Sequence, residues 1–423
     1  MKLLDKKPWR TNSEFLKNAL TLTLGTSIAQ FFPLLFYPIL GRVYTPKEFG
    51  LFATLTSITS ILTVVASGKY ESSILIARTK KDAANIVAIV FLISVPFLTL
   101  TFTAFLIFSQ QISEILKEPE LKKWLFISPL SAFLIIIYNS YNEWCVRNKY
   151  FVNLSWNKIT NAASTALSKV FLGFVKLSSN GLILGDLIGR TISAGACILH
   201  AYKKDKTDFA SISTNRIKEL AKRYIEFPKF AMPDQLFNKI GSTLPILFIG
   251  AYYNSVVLGY YAMTMTVLSV PMSVIGAALR DVFRQRANEE YIIKGNCSNI
   301  YNRLLKILAV IGILGSLFIV YFLPSLFEFV LGKQWTTAGR YSQILLPMFT
   351  LNFISMSLSG VLVITEKIKI SMYWQVYFVL ITAASLFIGF YIFNKIEVVL
   401  LCLAIGRSTA YILYIILSYH FSK

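Results

Sequence analysis

What most constrains this chain is a recurrence, from end to end, of windows of about 20 apolar residues, each long enough to cross a hydrocarbon core of about 30 Å as a helix. About twelve such windows centre on residues 16–43, 50–77, 83–109, 123–146, 152–176, 181–202, 226–250, 258–282, 301–324, 341–365, 371–393 and 397–420. The expected fold class is therefore an all-α integral membrane protein. Composition agrees where it matters: hydrophobic residues make up 55% of the chain and charged residues only 15%. A soluble globular protein carries roughly 25% charged residues. Too little charged surface remains to cover the soluble domains that 423 residues would otherwise form, which excludes an ordinary cytosolic enzyme.

The charge that remains is lopsided, with 42 Lys and Arg against 21 Asp and Glu, a net +21. In a soluble protein this excess points to nucleic acid; in a membrane protein its placement matters more, because Lys and Arg are retained on the cytoplasmic side. The basic residues alternate between connections. One set holds Lys2, Lys6, Lys7 and Arg10, then Arg78, Lys80 and Lys81, then Arg147 and Lys149, then the run from Lys203 to Arg223, then Arg284, Arg286, Lys294 and Arg303, then Lys367 and Lys369. The intervening connections, such as YTPKEF, SSNG, YYNSVV and FNKIE, are short and sparsely basic, and in QQISEILKEPELKK glutamates offset the lysines. Both termini are thus expected in the cytoplasm, and no nucleic-acid partner is expected. The opening MKLLDKKPWRTNSEF reads as a retained cytoplasmic tail, because no short apolar stretch with a small-residue cleavage site follows it. Cys145, Cys197, Cys297 and Cys402 are scattered, and only His200 and His420 could join them, so neither a disulfide framework nor a metal site is expected.

The long polar stretch 203–224 divides the chain near its middle, giving a tail (1–15), an N-terminal six-helix lobe (16–202), a cytoplasmic linker (203–224) and a C-terminal six-helix lobe (225–423). An internal repeat supports the division. A shift of 209 residues pairs Gly41 with Gly250, Tyr44 with Tyr253, Gly50 with Gly259 and Ala53 with Ala262. A shift of 217 pairs Ile188-Gly189-Arg190 with Ile405-Gly406-Arg407, and one of 218 pairs Trp156 with Trp374. With six helices in each half, both halves enter the membrane in the same direction, so the repeat is parallel.

Two passages carry a family resemblance. PILGRVYTPKEFGLFATLTSITSILTVVASGKYESSILIAR has a Pro-ended first helix, an R-x-Y-T-P-x-x-F-G turn, a long second helix and a terminal K-Y-E. FPKFAMPDQLFNKIGSTLPILFIGAYYNSVVLGYYAMTMTVLSVPMSVIGAALRDVFRQRA has an F-P-x-F start, an L-P, and V-L-x-x-P-x-x-x-I-G. In these the chain resembles the Wzx-type polysaccharide-unit (O-antigen or capsule) flippases of the multidrug, oligosaccharidyl-lipid and polysaccharide exporter superfamily. The resemblance implies two lobes around a cleft open to one side at a time, a place in the bacterial cytoplasmic (inner) membrane, and no covalent chemistry. It also implies passage of an undecaprenyl-pyrophosphate-linked oligosaccharide between leaflets for surface polysaccharide assembly, alongside membrane lipids and other assembly proteins as partners.

Ionisable groups inside apolar windows are costly and face a partner or a wet cavity. Lys69, Lys158, Lys239, Arg280 and Arg284 are the candidates for a cleft that takes a pyrophosphate, since Lys and Arg match its charge. Lys169 and Arg407 also fall in the windows. Lys69 and Arg284 lie near enough to helix ends to snorkel to headgroups instead. Asp186 with Arg190, and Glu143 with Arg147, are four apart and are expected as structural ion pairs. The 209 shift sets Glu71 over Arg280, a candidate bridge across the cytoplasmic mouth that would form in one state and separate in another. Asp234, between Pro228 and Pro245, could bind a coupling proton or Na⁺, or pair locally with Lys229 or Lys239. No other cofactor is expected. Two other functions remain open: an ion-coupled drug or metabolite antiporter of the same superfamily, against which the basic candidates count, and a membrane polysaccharide polymerase or glycosyltransferase, for which no catalytic motif is found.

Overall fold

The structure, a computed structural model, describes residues 13–175, 179–365 and 367–423; the basic residues Lys2, Lys6, Lys7 and Arg10 and the first residue of the SSNG connection lie outside the described residues. All regular elements among the described residues are helical. In chain order they are α1 (Ser13–Val43), α2 (Pro46–Ser67), α3 (Lys80–Ile115), α4 (Ile127–Arg147), α5 (Phe151–Phe174), α6 (Ser179–Phe209), α7 (Thr214–Arg223), α8 (Met232–Tyr252), α9 (Ser255–Lys294), α10 (Ser298–Ile319), α11 (Leu323–Leu331), α12 (Thr336–Ser357), α13 (Val361–Ile364), α14 (Ile368–Phe393) and α15 (Ile396–Ser422). Among the described residues, eight helical spans are long and apolar enough to cross a bilayer. Helices α1, α4, α5 and α8 have 31, 21, 24 and 21 residues and so also reach across, at 1.5 Å per residue. The last three carry the charged side chains Glu143, Lys158, Lys169, Asp234 and Lys239 that make them less apolar.

One set of contacts occurs twice. In the first half α5 packs on α1 and α6, and α4 lies between α2 and α6; in the second α14 packs on α8 and α15, and α12 lies between α9 and α15. Lipid tails are as apolar as leucine, so helices in a membrane associate through close packing, which small residues permit. The sequence places Gly181, Gly185 and Gly189 on one stripe of α6. A Cβ at Gly185 would stand 2.7 Å from the Lys169 backbone of α5, and one at Gly189 would stand 2.4 Å from Thr165 Cα. Gly406 of α15, paired with Gly189 by the 217 shift, meets Ser385 of α14 in the same way, its would-be Cβ only 1.9 Å from Ser385 Oγ.

The two halves join where α2 and α9 begin. Thr45 caps α2, its side chain accepting from Glu48 N–H while Glu48 Oε2 takes the Thr45 N–H at 2.6 Å. Asn254, 209 residues later, caps α9 by accepting from Val257 N–H at 2.9 Å. One turn into each helix stands a glycine, and the contact is reciprocal: a Cβ at Gly50 would lie 1.9 Å from Ser255 O, and one at Gly259 would lie 1.7 Å from Pro46 O. Ser255 and Pro46 are themselves 209 apart, so the crossing has the pseudo-symmetry of the repeat. The connection between α11 and α12 seals the same end: Trp335 Nε1 and Gln334 Nε2 both donate to Gly41 O at 2.6 Å, Arg42 Nη2 donates to Phe329 O at 3.0 Å, and Trp335 meets Phe49 edge-on at 5.2 Å.

The opposite end carries the basic connections, and three elements there differ from the expected windows. Helix α2 stops at Ser67, because Gly68 and Lys69 adopt positive φ (55° and 61°) and a tight turn Tyr70–Ile74 follows, so 50–77 is not one helix. Helix α9 runs for 40 residues, about 60 Å, twice the hydrocarbon thickness, and carries Arg284, Arg286 and Lys294 beyond the apolar window. Helix α6 continues through Lys203–Phe209, where Asp205, 1% exposed, accepts from Trp144 Nε1 at 3.0 Å and Tyr150 Oη at 3.3 Å while Phe209 stacks on Trp144. The remainder of the polar stretch forms α7, docked on α3. Arg216 of α7 donates to Asp82 at 2.7 Å and to Glu219, and these bonds hold the guanidinium above its ordinary pKa.

Three outcomes follow for unfolding in detergent micelles. Gly50→Val and Gly259→Val should each cost about 1–3 kcal/mol or more by overpacking, seen as a lower thermal midpoint. Gly195→Ala and Gly315→Ala, where nothing lies within 4 Å, should be neutral or stabilising, by up to about 1 kcal/mol. Asp205→Ala should cost about 1–3 kcal/mol by stranding the indole N–H and the phenol, and Asp205→Asn, which keeps an acceptor, distinctly less.

Candidate functional site

Between the sealed end and the basic end, the helices carry the ionisable groups singled out from the sequence. Asp186 lies on the glycine stripe of α6, where the close approach of α5 puts Lys169 Nζ 2.7 Å from its Oδ1, while Arg190 Nε donates to Oδ2 one turn on. The carboxylate is buried between two cations, and Lys169 also lies over the Phe52 ring of α2 at 4.4 Å. The i,i+4 spacing shows Arg190; it gives no sign of Lys169, which comes from the neighbouring helix.

Glu143 and Arg147 share the same spacing but form no ion pair among the described residues. Arg147 Nη2 donates instead to Ala77 O at 2.9 Å. The turn that ends at Ile74 leaves carbonyls without helical partners, and the guanidinium at the end of α4 satisfies one of them.

Lys69 and Glu71 meet, Nζ to Oε1 at 3.4 Å, and Glu71 is buried with its other oxygen unpartnered. Glu71 and Arg280 do not bridge: Arg280 Nε lies 3.6 Å from Asp281 on its own helix. Nor do they occupy matching helical positions, since α2 has ended before Glu71 and α9 continues past Arg280. The stem of Arg284 lies over Gly360, whose would-be Cβ would fall 2.6 Å from Arg284 Cγ, so this side chain packs on the turn before α13.

The other candidates have partners of a different kind, or none. Lys158 of α5 is half-buried and donates to Thr26 Oγ1 of α1 at 2.8 Å, a hydroxyl where an ion pair would have been the bland expectation. Lys239 of α8 is half-buried and makes no ion pair among the described residues. Asp234 is exposed in the first turn of α8 and pairs with neither Lys229 nor Lys239. It follows directly on a π-helical turn, Phe227–Ala231, where Pro228 lacks an N–H.

Arg407, a charge inside the last apolar window, has the least expected setting of all. It is 3% exposed, donates to Gly241 O of α8 at 2.6 Å and to Thr382 Oγ1 of α14 at 3.3 Å, and stands over the Phe378 ring at 5.1 Å. Its counterpart under the 217 shift, Arg190, has a carboxylate one turn before it, whereas Arg407 has Leu403 at that position. The helix bundle thus holds cations at Lys158, Lys239 and Arg407 with no carboxylate partner among the described residues. Such a bundle can neutralise an anionic group brought into it.

The architecture is shared with solved structures. The chain is similar to an inward-facing conformation of a multidrug resistance MATE family transporter of the MOP superfamily, with a TM-score of 0.72 at 14% identity over 94% of this chain and 96% of that one. For an outward-facing conformation of a MATE transporter the TM-score is 0.61, at 14% identity over 95% and 94%. For the lipid II flippase MurJ in an inward closed conformation it is 0.73, at 12% identity over 95% of this chain and 90% of that one. At these identities the likeness concerns the fold alone, an all-helical bundle of the kind seen in MATE and MurJ. No curated protein sequence matches the chain. Residues 39–340 match the family described as Polysaccharide biosynthesis protein, and with most of its length matched the chain belongs to that family.

Proposed function

We propose that this protein is a flippase that moves an undecaprenyl-pyrophosphate-linked oligosaccharide across the bacterial cytoplasmic membrane, with the basic end and both termini in the cytoplasm. The observation that carries the reading is the cation surplus within the bundle, at Lys158, Lys239 and Arg407, in a member of a polysaccharide biosynthesis family. A pyrophosphate entering from the basic end would find ammonium donors in a medium where a charge-assisted hydrogen bond is worth about 1.5–3 kcal/mol. The halves 16–202 and 225–423, joined through 203–224, would rock about the α2–α9 crossing. On this reading the Gly50 and Gly259 contacts close the end away from the basic connections in one state and part in the other, while the basic ends move the opposite way. Asp234, exposed beside the π-helical turn of α8, is the carboxylate best placed to take the proton or Na⁺ that couples this motion to an ion gradient.

The near-equal likeness to a multidrug transporter supports one competing reading, an ion-coupled antiporter. Liposomes containing the purified protein separate the two. The flippase reading expects a fluorescent polyprenyl-pyrophosphate glycan to reach the opposite leaflet, with Lys158→Gln and Lys239→Gln each slowing it about tenfold, the equivalent of one lost charged contact. Exchange of a cationic drug for protons, with no movement of any pyrophosphate-linked glycan, would overturn it. For Asp234→Asn, we expect the dependence of transport on pH or on sodium to flatten. A profile identical to that of the parent protein would remove Asp234 from coupling.

A further inference from the structure

At the basic end, α9 and α10 enclose a groove of about 540 Å³ that belongs to none of the groups above. Leu279, Val282 and Arg286 line it from α9, and Asn299, Arg303 and Ile307 from α10. The spacings of three and four put each trio on one helix face, so the two faces oppose each other across the gap. Because α9 runs toward the basic end and α10 away from it, both arginines lie at the groove's mouth and Leu279 and Ile307 lie deeper.

The groove is therefore amphipathic along its length, with two guanidiniums above apolar walls. Neither Arg286 nor Arg303 forms an ion pair among the described residues. Of the neighbouring carboxylates, Glu290 is held by Lys294 at 2.9 Å and accepts from Ile300 N–H at 3.3 Å, and Glu289 accepts from Gln285 Nε2 at 3.3 Å; neither pairs with the arginines among the described residues. The walls face outward: Val282 is 56% exposed, and on α10 Ile311 and Phe318 continue the exposed apolar face at 61% and 76%. In the first half α7 covers the basic end of α3, and Arg216 is tied to Asp82.

We infer that this groove is a binding site for an anionic phospholipid of the surrounding leaflet, its phosphate held between Arg286 and Arg303 and an acyl chain lying along Val282, Leu279 and Ile307. The charge complements one phosphate, and the outward-facing apolar walls complement a chain that stays in the bilayer. This site does not depend on which cargo the protein carries.

The test uses the full chain in neutral detergent micelles, titrated separately with phosphatidylglycerol, phosphatidylcholine, undecaprenyl pyrophosphate and inorganic phosphate. Retention of lipid in native mass spectrometry and the thermal midpoint are read together. Phosphatidylglycerol should bind at least about tenfold more tightly than phosphatidylcholine and raise the midpoint, and Arg286→Gln with Arg303→Gln should weaken it by about 10–100-fold. The doubly substituted Lys218→Gln/Lys222→Gln protein, which loses equal charge on α7, should bind as the parent does. The Arg286→Lys/Arg303→Lys protein provides a second, charge-retaining variant that should keep most of the binding, should the glutamine variant fail to fold. Equal loss in the α7 variant, no loss in the arginine variant, or no preference for phosphatidylglycerol would overturn the inference. So would displacement of phosphatidylglycerol by equimolar undecaprenyl pyrophosphate or by inorganic phosphate, which would give the groove a different occupant.

Discussion

Helices dissolved in hydrocarbon gain nothing from burying apolar surface against one another, so this fold depends on backbones that come close enough for dispersion and weak polar contacts to accumulate. Glycine makes that approach possible. Within the first half, the stripe Gly181, Gly185 and Gly189 lets α6 lie against α5 and against Tyr44. Within the second, Gly406 does the same for α15 and α14. Between the halves the closest approach is at Gly50 and Gly259, each against a carbonyl of the other helix, within a seam along which α2 packs on both α8 and α9.

The repeat was legible in the sequence because these close approaches tolerate so few residue types. The 209 shift that aligned Gly50 with Gly259 also relates the caps Thr45 and Asn254 and the carbonyl-bearing residues Pro46 and Ser255. A shift in sequence says only that two positions are equivalent; that they touch each other follows from the axis between the halves, which no spacing reveals. The ends of helices were harder to read. Hydropathy carries window 50–77 across Gly68, but two successive residues with positive φ end α2 there. Hydropathy also stops α6 near residue 202, but the buried Asp205 draws the polar segment onward by accepting from Trp144 and Tyr150. Both errors have one cause: apolarity reports where lipid is and is silent about local backbone torsion and about a carboxylate whose partners come from another helix.

The ion pairs divide along the same line. Asp186 and Arg190 were visible because both partners sit on one helix, and Lys169 was not, because the glycine stripe of α6 delivers it from α5. For Glu143 and Arg147 the spacing misleads, since a carbonyl released by the turn after α2 offers Arg147 a partner that spacing along α4 does not show. Local periodicity identifies which groups can meet; unsatisfied backbone groups nearby decide which of them do.

Arg190 and Arg407 show what the repeat preserves when its details differ. In the first half two cations, Lys169 and Arg190, surround one carboxylate, leaving one formal positive charge; in the second, Arg407 stands alone against a carbonyl, a hydroxyl and an aromatic face, again leaving one. An arginine at the centre of a membrane helix costs about 2.5–3.5 kcal/mol even on the mildest scale. The Gly241 carbonyl and the Phe378 ring offset part of that cost without cancelling the charge. Arg407 is too deeply buried to touch anything outside the bundle, so beyond its own partners it acts through its field, which the low dielectric of the bundle extends. The two sites related by the 217 shift thus keep one positive charge each by different chemistry, one by surplus of cations and one by omission of the acid at Leu403.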